Sequence, residues 1–157
     1  MRVVRSQSPR GLLLTALAAF QFALPILPAS AFQKGTVVID GRVSIDVEVA
    51  RSIEEQAKGL GGRSSLKKGT GMVFPYDGPG VRAFWMRGML IPLDILWIRD
   101  GKIVAIEAKI PPPPPEKPLA VYSHVADLVL EVPAGYAREM GIRVGQPVRI
   151  RYSSLSR

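Results

Sequence analysis

Asp94 is the residue of this 157-residue chain whose setting most suggests chemistry. It is the single carboxylate in the run Ala83–Ile98 (AFWMRGMLIPLDILWI), the most apolar stretch outside the N-terminus. So long an apolar run must be buried, and a buried charge without a partner is very costly. Asp94 therefore serves either as a general acid or base or as half of a structural ion pair. Candidate partners are Arg63, Arg82 and Arg87, of which we expect Arg63.

The same stretch predicts a ligand site. The strand pattern breaks at Arg87–Gly88, and a broken strand beside a glycine-rich turn leaves concave space and free backbone groups. We expect this break to meet the glycine turn that precedes Arg63. In this hypothesis Arg63 and Arg87 bind an anionic group, Asp94 orients them, and Trp85 forms an apolar wall.

A second hypothesis is a soft-metal site. Met86 and Met89 flank the same break, and His124 is the only histidine. Thioether sulfurs and an imidazole suit Cu(I), and the face of Trp85 could stack on such a cation. Methionines also fill irregular cores beside aromatic rings, and nothing in the spacing brings His124 to Met86. We favour core packing, so no cofactor is expected and Cu(I) binding stays an alternative.

A third hypothesis is glycan recognition or hydrolysis. An aromatic platform could form from Trp85, Trp97, Phe84, Tyr76 and Tyr122. Asp94 would then act as general acid or base, or the strand carboxylates Asp46, Glu48 and Glu131 would pair for glycoside hydrolysis. Nothing in the sequence sets the separation of these carboxylates. Nucleophilic catalysis has weaker support, because the chain lacks cysteine and a G-x-S-x-G motif, and its glycines match no nucleotide-binding loop.

Residues 1–31 have the parts of a secretory signal peptide. Three arginines precede the apolar segment GLLLTALAAFQFALPILP, and Ala29-Ser30-Ala31 is an A-x-A cleavage site. The apolar segment is interrupted by Gln21, Pro25 and Pro28, so it falls short of the roughly 20 apolar residues that a membrane span needs. We therefore predict cleavage after Ala31, and a bacterial periplasmic or secreted protein that is not an integral membrane protein.

Charge and composition narrow the classes of partner. The first 31 residues hold three of the 21 basic residues and none of the 13 acidic ones, so the remaining chain carries 18 basic and 13 acidic residues, a formal +5. This charge is spread along the sequence without a basic helix, which argues against nucleic acid. The absence of cysteine excludes disulfides, and a core of this size holds a fold without them. The oligomeric state is not indicated.

Residues 32–157 read as one mainly β domain. Strands are predicted at 36–39, 42–49, 71–74, 81–86, 93–98, 103–110, 128–132 and 148–151, with hairpin turns at Asp40-Gly41 and Asp100-Gly101. Residues 75–80 are expected to form a loop. Ser52 and Glu55 form a capping box for a short helix, and residues 134–140 predict a second one. The expected architecture is a compact, mostly antiparallel barrel- or sandwich-like domain with two short helices.

The order of several motifs resembles the domain-of-unknown-function 192 family. The matching segments are VEVARSIEEQAKGLGGRSSL, GMVF, FWMRGMLIPLDILWI and LVLEVPAGYAREMGIRVGQPV, which together cover about residues 43–148. The resemblance implies a small β-rich exported domain and brings no agreed activity. The chain departs from the family pattern at Gly61, Met89 and Gln146, where the family often has Met, Thr and Asp. The last difference removes a carboxylate from the final turn.

These observations favour a periplasmic binding or accessory module over a catalyst. The ligand would be small, and either anionic or a glycan of the cell envelope. Its expected binding residues are Arg63, Trp85, Arg87 and Asp94. The alternatives are an envelope glycan hydrolase that uses Asp94, and a Cu(I)-binding protein that uses Met86, Met89 and His124.

Overall fold

The structure, a computed structural model, describes residues 32–153. Its elements in chain order are β1 (Gln33–Ile39), β2 (Val43–Val49), α1 (Ile53–Lys58), β3 (Thr70–Trp85), β4 (Leu93–Arg99), β5 (Lys102–Ile110), β6 (Val121–Pro133), α2 (Tyr136–Glu139) and β7 (Val148–Tyr152). The predicted signal peptide, its cleavage site and the last four residues lie outside the described residues. None of the helices within residues 32–153 is long and apolar enough to cross a membrane.

The local signals in the sequence produce the expected turns. Asp40 and Gly41 have φ values of 52° and 67°, and Asp100 and Gly101 have φ values of 52° and 68°. Two successive positive φ values are the geometry of the hairpin turn that Asp-Gly favours. The capping box is also present, because the side chain of Ser52 accepts the amide of Glu55. Both predicted hairpins and the start of α1 are therefore confirmed.

The seven strands form one sheet in the order β5-β4-β6-β3-β2-β1-β7. Neighbouring strands are antiparallel except β2 and β3, which run parallel and are connected through α1. The sheet curls into a half-barrel. Near one end its edge strands meet, since Lys102 bridges to Pro147 and the amide of Val148 donates to the carbonyl of Gly101 at 2.8 Å. The predicted mainly β, mostly antiparallel fold is confirmed.

Buried apolar side chains lie on both faces of this sheet. One cluster draws on all seven strands, as expected for the inner face of a curled sheet, and α2 adds Tyr136 and Ala137 to it. The other lies against β3, β4 and β6 and is covered by residues such as Leu60 and Met89 from the connecting segments. Because both faces of β4 are covered, residues 93–98 are all buried, which explains why this stretch is so apolar.

The prediction of a loop over residues 75–80 is wrong. These residues belong to β3, which continues to Trp85 as one 16-residue strand. The register of β3 against β6 shifts between Pro75 and Gly80, so the extra residues form an irregular bulge within the ladder. Proline and glycine gave a turn signal here, whereas pairing with the long strand β6 carries the chain through.

Candidate functional site

Asp94 is fully buried and held by three backbone amides. Its Oδ1 accepts hydrogen bonds from the amides of Lys109 at 2.7 Å and Gly135 at 2.8 Å, and its Oδ2 accepts one from Ala137 at 2.9 Å. The expected ion pair with Arg63 is wrong. Backbone donors in place of a cation satisfy the carboxylate.

These three amides are available to Asp94 because of where they lie. Gly135 is the N-cap of α2, with φ 81°, and α2 has no local side-chain cap. The first amides of a helix have no partner within the helix, so Asp94 caps α2 from a neighbouring strand. Lys109 has φ 54° near a shift in the β4–β5 register. Asp94 thus ties β5 and α2 to β4, which is a structural task.

Arg63 pairs with Glu48 of β2. The guanidinium Nη2 of Arg63 donates to Glu48 Oε2, and Lys34 Nζ donates to Glu48 Oε1 at 2.8 Å. Burial alone would raise the pKa of Glu48, but the hydrogen bonds from Arg63 and Lys34 outweigh it and hold this pKa below its ordinary value. Arg63 therefore already has an anionic partner, and its side chain lies over β2, apart from Asp94.

The two turns that were expected to form a site do touch. The amide of Gly62 donates to the carbonyl of Gly88 at 2.9 Å, which joins the glycine turn after α1 to the turn after β3. Gly59 ends α1 with φ 46° and ψ −135°, a conformation open essentially to glycine. This bend brings the last turn of α1 and the glycines over the face of β3.

A cavity of about 270 Å³ lies between the end of α1 and β3, and we call it the Glu131 pocket. Its sides are formed by the last turn of α1, the glycine turn, and the side chains of Phe74, Tyr76, Phe84, Trp85 and Arg87. Trp85 is 49% exposed, and Lys58 and Arg87 are exposed. Two residues expected at the site, Trp85 and Arg87, therefore line one cavity, whereas Arg63 and Asp94 do not.

Glu131 of β6 reaches this cavity from within the sheet. Its residue is 6% exposed, and in the ladder it lies opposite Met72 on β3 and Ile95 on β4. Its carboxyl group makes no hydrogen bond or ion pair within residues 32–153. Within the same residues no fully enclosed side-chain oxygen lacks a partner, so the carboxyl oxygens of Glu131 touch the open space of the pocket. Burial raises the pKa of Glu131 to about 8.

Arg82, the one basic residue of β3, contacts groups other than Glu131. The guanidinium of Arg82 lies 3.9 Å from the centre of the Tyr76 ring, and it donates to the carbonyls of Gly78 at 2.7 Å and Ala126 at 3.3 Å. Burial raises the pKa of Tyr76. The charge of Arg82 lowers this pKa, and the charge of Glu131 raises it further. Arg82 therefore packs on the phenol of Tyr76 and donates to backbone carbonyls, and within residues 32–153 it forms no ion pair with Glu131.

The aromatic rings beside the pocket form a connected wall. Phe74 and Phe84 meet edge to face at 5.0 Å, and Phe84 meets Trp97 in the same way at 6.0 Å. Trp97 is fully buried, and its Nε1 donates to the carbonyl of Arg82 at 2.9 Å. Of the two tryptophans, only Trp85 has surface for a ligand. Trp97 holds the wall in place.

The residues of the soft-metal hypothesis lie in or beside one apolar cluster, and Met89 also lines the Glu131 pocket. Met86 and Met89 are buried in the apolar cluster against β3, β4 and β6. The ring of His124 lies 4.8 Å from that of Trp97, and its Nε2 is 3.3 Å from Glu107 Oε1. No group of three or more histidine, aspartate or glutamate side chains in the described part of the chain is placed to hold a metal ion.

Two charged residues of the pocket, Lys58 and Glu131, were not expected at the ligand site from the sequence. Glu131 was expected only as one of three strand carboxylates for glycoside hydrolysis. Its signal resembles that of Asp94, since Glu131 is a single carboxylate within the apolar strand segment LVLEV. The sequence could not show that Asp94 accepts three hydrogen bonds whereas Glu131 accepts none from the described part of the chain.

Comparison with known proteins gives a family and a fold. The family described as "DUF192: Uncharacterized ACR" matches residues 35–150. A solved structure of a protein of unknown function from Novosphingobium aromaticivorans is 34% identical, with a TM-score of 0.68, covering 86% of this chain and 98% of that one. Another, from Sinorhizobium meliloti and described as a candidate transcription regulator, is 26% identical with a TM-score of 0.70, covering 77% and 96%. No curated protein matches the sequence.

Proposed function

The chain belongs to this family of uncharacterised proteins, the domain-of-unknown-function 192 family, and we propose that it binds a small organic anion in the Glu131 pocket. The ligand has a planar or apolar body and one anionic group. In this proposal the protein works in the bacterial periplasm, after removal of the signal peptide predicted over residues 1–31. It acts as a binding or accessory module of the envelope.

The observation that carries the proposal is a cavity with an unpartnered carboxyl group inside it. Buried polar side chains in folded proteins almost always have a partner, and an exception calls for an explanation such as a catalytic role, a bound ion or an ordered water. Glu131 lines the same cavity as several aromatic side chains, and small-molecule sites combine such apolar walls with a few polar groups. At about 270 Å³ the pocket is near the lower end of ligand cavities and suits a compact molecule.

The charges around the mouth of the pocket support an anion. Lys58 and Arg87 are exposed on its two sides, and the guanidinium of Arg87 lies 5.9 Å from the Trp85 ring. The planar body of a ligand can pack against the half-exposed Trp85 while its anionic group meets Arg87. Arg63, expected as a second anion-binding residue, is paired with Glu48.

The test is a thermal-melt screen of the chain from Phe32 onward, followed by calorimetry on every hit. The panel contains benzoates, other small carboxylates, inorganic phosphate, peptidoglycan fragments, oligosaccharides, Cu(I) and Ca²⁺. We expect a planar carboxylate to raise Tm, since a ligand at about 100 times its Kd stabilises by roughly 2.7 kcal/mol. Arg87→Ala should weaken its binding about tenfold, the loss expected for one charge-assisted hydrogen bond.

Arg149→Ala provides the matched control, because Arg149 is an exposed arginine on β7 that does not line the pocket. It should leave the affinity within about twofold. If no small anion raises Tm, or if both arginine variants weaken binding equally, the proposal fails. A shift with oligosaccharides alone would favour the glycan alternative, and a shift with Cu(I) lost in Met86→Leu would favour the metal alternative. The hydrolase alternative gains no support from Asp94, whose carboxylate is enclosed.

A further inference from the structure

We propose that the carboxyl group of Glu131 donates a hydrogen bond to an oxygen acceptor at the inner end of the ligand. The pocket then selects planar anions that carry a carbonyl-type acceptor opposite their charged group. This inference rests on the proposed function and names the chemical class of its ligand. Glu131 becomes the residue that determines specificity within the pocket.

The backbone of Glu131 is held rigidly, which gives its side chain a defined direction. Residues 128–133 of β6 pair with β4 on one side, and residues 128–131 pair with β3 on the other. Gly71 allows β3 to approach closely, because a Cβ atom there would lie only 2.4 Å from the backbone oxygen of Glu131. A polar group on a rigid central strand can select ligands better than one on a loop, since little freedom is lost on binding.

The surroundings of Glu131 favour its neutral form. On the facing strands its ladder partners are Met72 and Ile95, which are apolar. From β3, Arg82 is bound to two carbonyls and to the face of Tyr76. Burial without a paired cation therefore keeps the proton on Glu131 at neutral pH, with a pKa of about 8.

A neutral carboxyl group can donate a hydrogen bond, whereas an ionised one only accepts. The charged groups at the mouth are Lys58 from α1 and Arg87 from the turn after β3, and both repel an ammonium ligand. An anion with an oxygen acceptor fits both ends, because its charge faces the two cations and its acceptor faces the carboxyl hydrogen. Once Glu131 ionises, it repels the same acceptor.

Two probes of nearly equal size test this inference. 4-Acetylbenzoate has a carboxylate and a carbonyl acceptor opposite it, whereas 4-isopropylbenzoate has a branched alkyl group of similar size there and no acceptor. Their affinities are measured by calorimetry at pH 6 and pH 9 on the chain from Phe32 onward. We expect the wild-type protein to prefer 4-acetylbenzoate about tenfold at pH 6 and to lose that preference at pH 9.

Two variants of Glu131 separate hydrogen bonding from packing. Glu131→Gln keeps a donor that does not titrate, so the preference should persist at both pH values. Glu131→Met fills a similar volume without a donor, so both probes should bind equally at both pH values. Circular dichroism checks that each variant is folded. If Glu131→Met is unfolded, the contrast between wild type and Glu131→Gln at pH 9 still decides.

Equal binding of the two probes by wild type at pH 6 overturns the inference and leaves the proposed function standing. A preference that survives at pH 9 in the wild type, or in Glu131→Met, also overturns it, because another group is then the donor. If neither probe binds, the inference fails whatever the ligand screen shows. The proposed function fails separately, when none of the small anions in the screen binds.

Discussion

Asp94 and Glu131 are buried carboxylates on neighbouring strands, and the protein treats them in opposite ways. In the β4–β6 ladder Asp94 lies opposite Val132, and Glu131 lies opposite Ile95, so the two are one register position apart. Successive residues of a strand point to opposite faces, which places the two carboxylates on different sides of the sheet. Asp94 accepts three amide hydrogen bonds, whereas the carboxyl of Glu131 has no partner among residues 32–153 and opens into a cavity.

This contrast shows that burial alone does not identify a functional carboxylate. Asp94 is the more buried of the two, yet every donor around it comes from the backbone it holds together. Glu131 is nearly as buried, yet its side chain makes no hydrogen bond to any other residue between Phe32 and Ser153. A carboxylate that stabilises the fold should be costly to remove, and one kept for a ligand should not.

Replacement of Asp94 should give the largest effect. Asp94→Ala leaves one buried and two partly buried amides without an acceptor. At roughly 3 kcal/mol for the buried amide and roughly 1.5 kcal/mol for each of the other two, we expect a loss on the order of 6 kcal/mol in the free energy of unfolding. Asp94→Asn keeps one acceptor oxygen but turns an amide group toward the N–H of Ala137, for a loss of about 3 kcal/mol. Urea denaturation followed by tryptophan fluorescence measures both.

Glu131→Gln is the matched control for this experiment, since it is also a carboxylate-to-amide change on a buried strand. It breaks no hydrogen bond and should not destabilise the protein at pH 7. If Asp94→Asn costs less than Glu131→Gln, the structural assignment of Asp94 is wrong. If Asp94→Ala does not fold, the comparison of the two amide variants still decides.

The wild-type protein should lose stability as pH rises from 5 to 9. The pKa of Glu131 is raised from 4.5 to about 8, so the folded protein retains a proton that the unfolded chain loses. This contribution to stability is fully present below pH 4.5 and is lost as pH rises through 8. The free energy of unfolding should fall by at most about 5 kcal/mol between the low-pH and the high-pH limits.

Urea denaturation at intervals between pH 5 and pH 9 measures this loss, and Glu131→Gln should remove it. The range from pH 5 to pH 9 avoids the titration of Glu48. The pKa of Glu48 is lowered, so its contribution to stability is present above pH 4.5 and is lost only as pH falls below that value. Subtracting the curve of the glutamine variant isolates Glu131 from other titrating groups. Parallel curves for the two proteins would mean that Glu131 is already ionised or paired.

The sequence predicted the fold where the determining interactions are local. Period-two alternation in β2 and the two Asp-Gly turns depend on neighbouring residues, and each is found where expected. The bulged stretch of β3 was missed because Pro75 and Gly80 carry a local turn signal that pairing with β6 overrides. Pairing with the distant strand β6 determines the conformation of this segment, and such pairing cannot be read from one sequence.

The candidate site, too, was predicted from the sequence only where it depends on neighbouring residues. Trp85 and Arg87 were expected from the break after β3, and both line the Glu131 pocket. The partners of Asp94 could not be predicted, because its three donors lie 15, 41 and 43 residues away in the chain. The sequence also could not show that the Glu131 side chain has no hydrogen-bond partner among residues 32–153, because that depends on which residues of distant strands lie beside it.

The smallest effect is expected for Arg63, and it tests whether the site extends toward β2. Arg63→Met removes a partly exposed ion pair with Glu48, so we expect a loss of about 0.5–1 kcal/mol in the free energy of unfolding. A double-mutant cycle with Glu48→Gln should return a coupling energy of that size. In calorimetry with a ligand of the Glu131 pocket, Arg63→Met should leave Kd within about twofold, unlike Arg87→Ala. A tenfold loss for Arg63→Met would restore the sequence-based hypothesis that Arg63 and Arg87 bind one anion together. It would also mean that Arg63 leaves Glu48 when the ligand binds, so the coupling energy measured in the cycle should then vanish in the presence of saturating ligand.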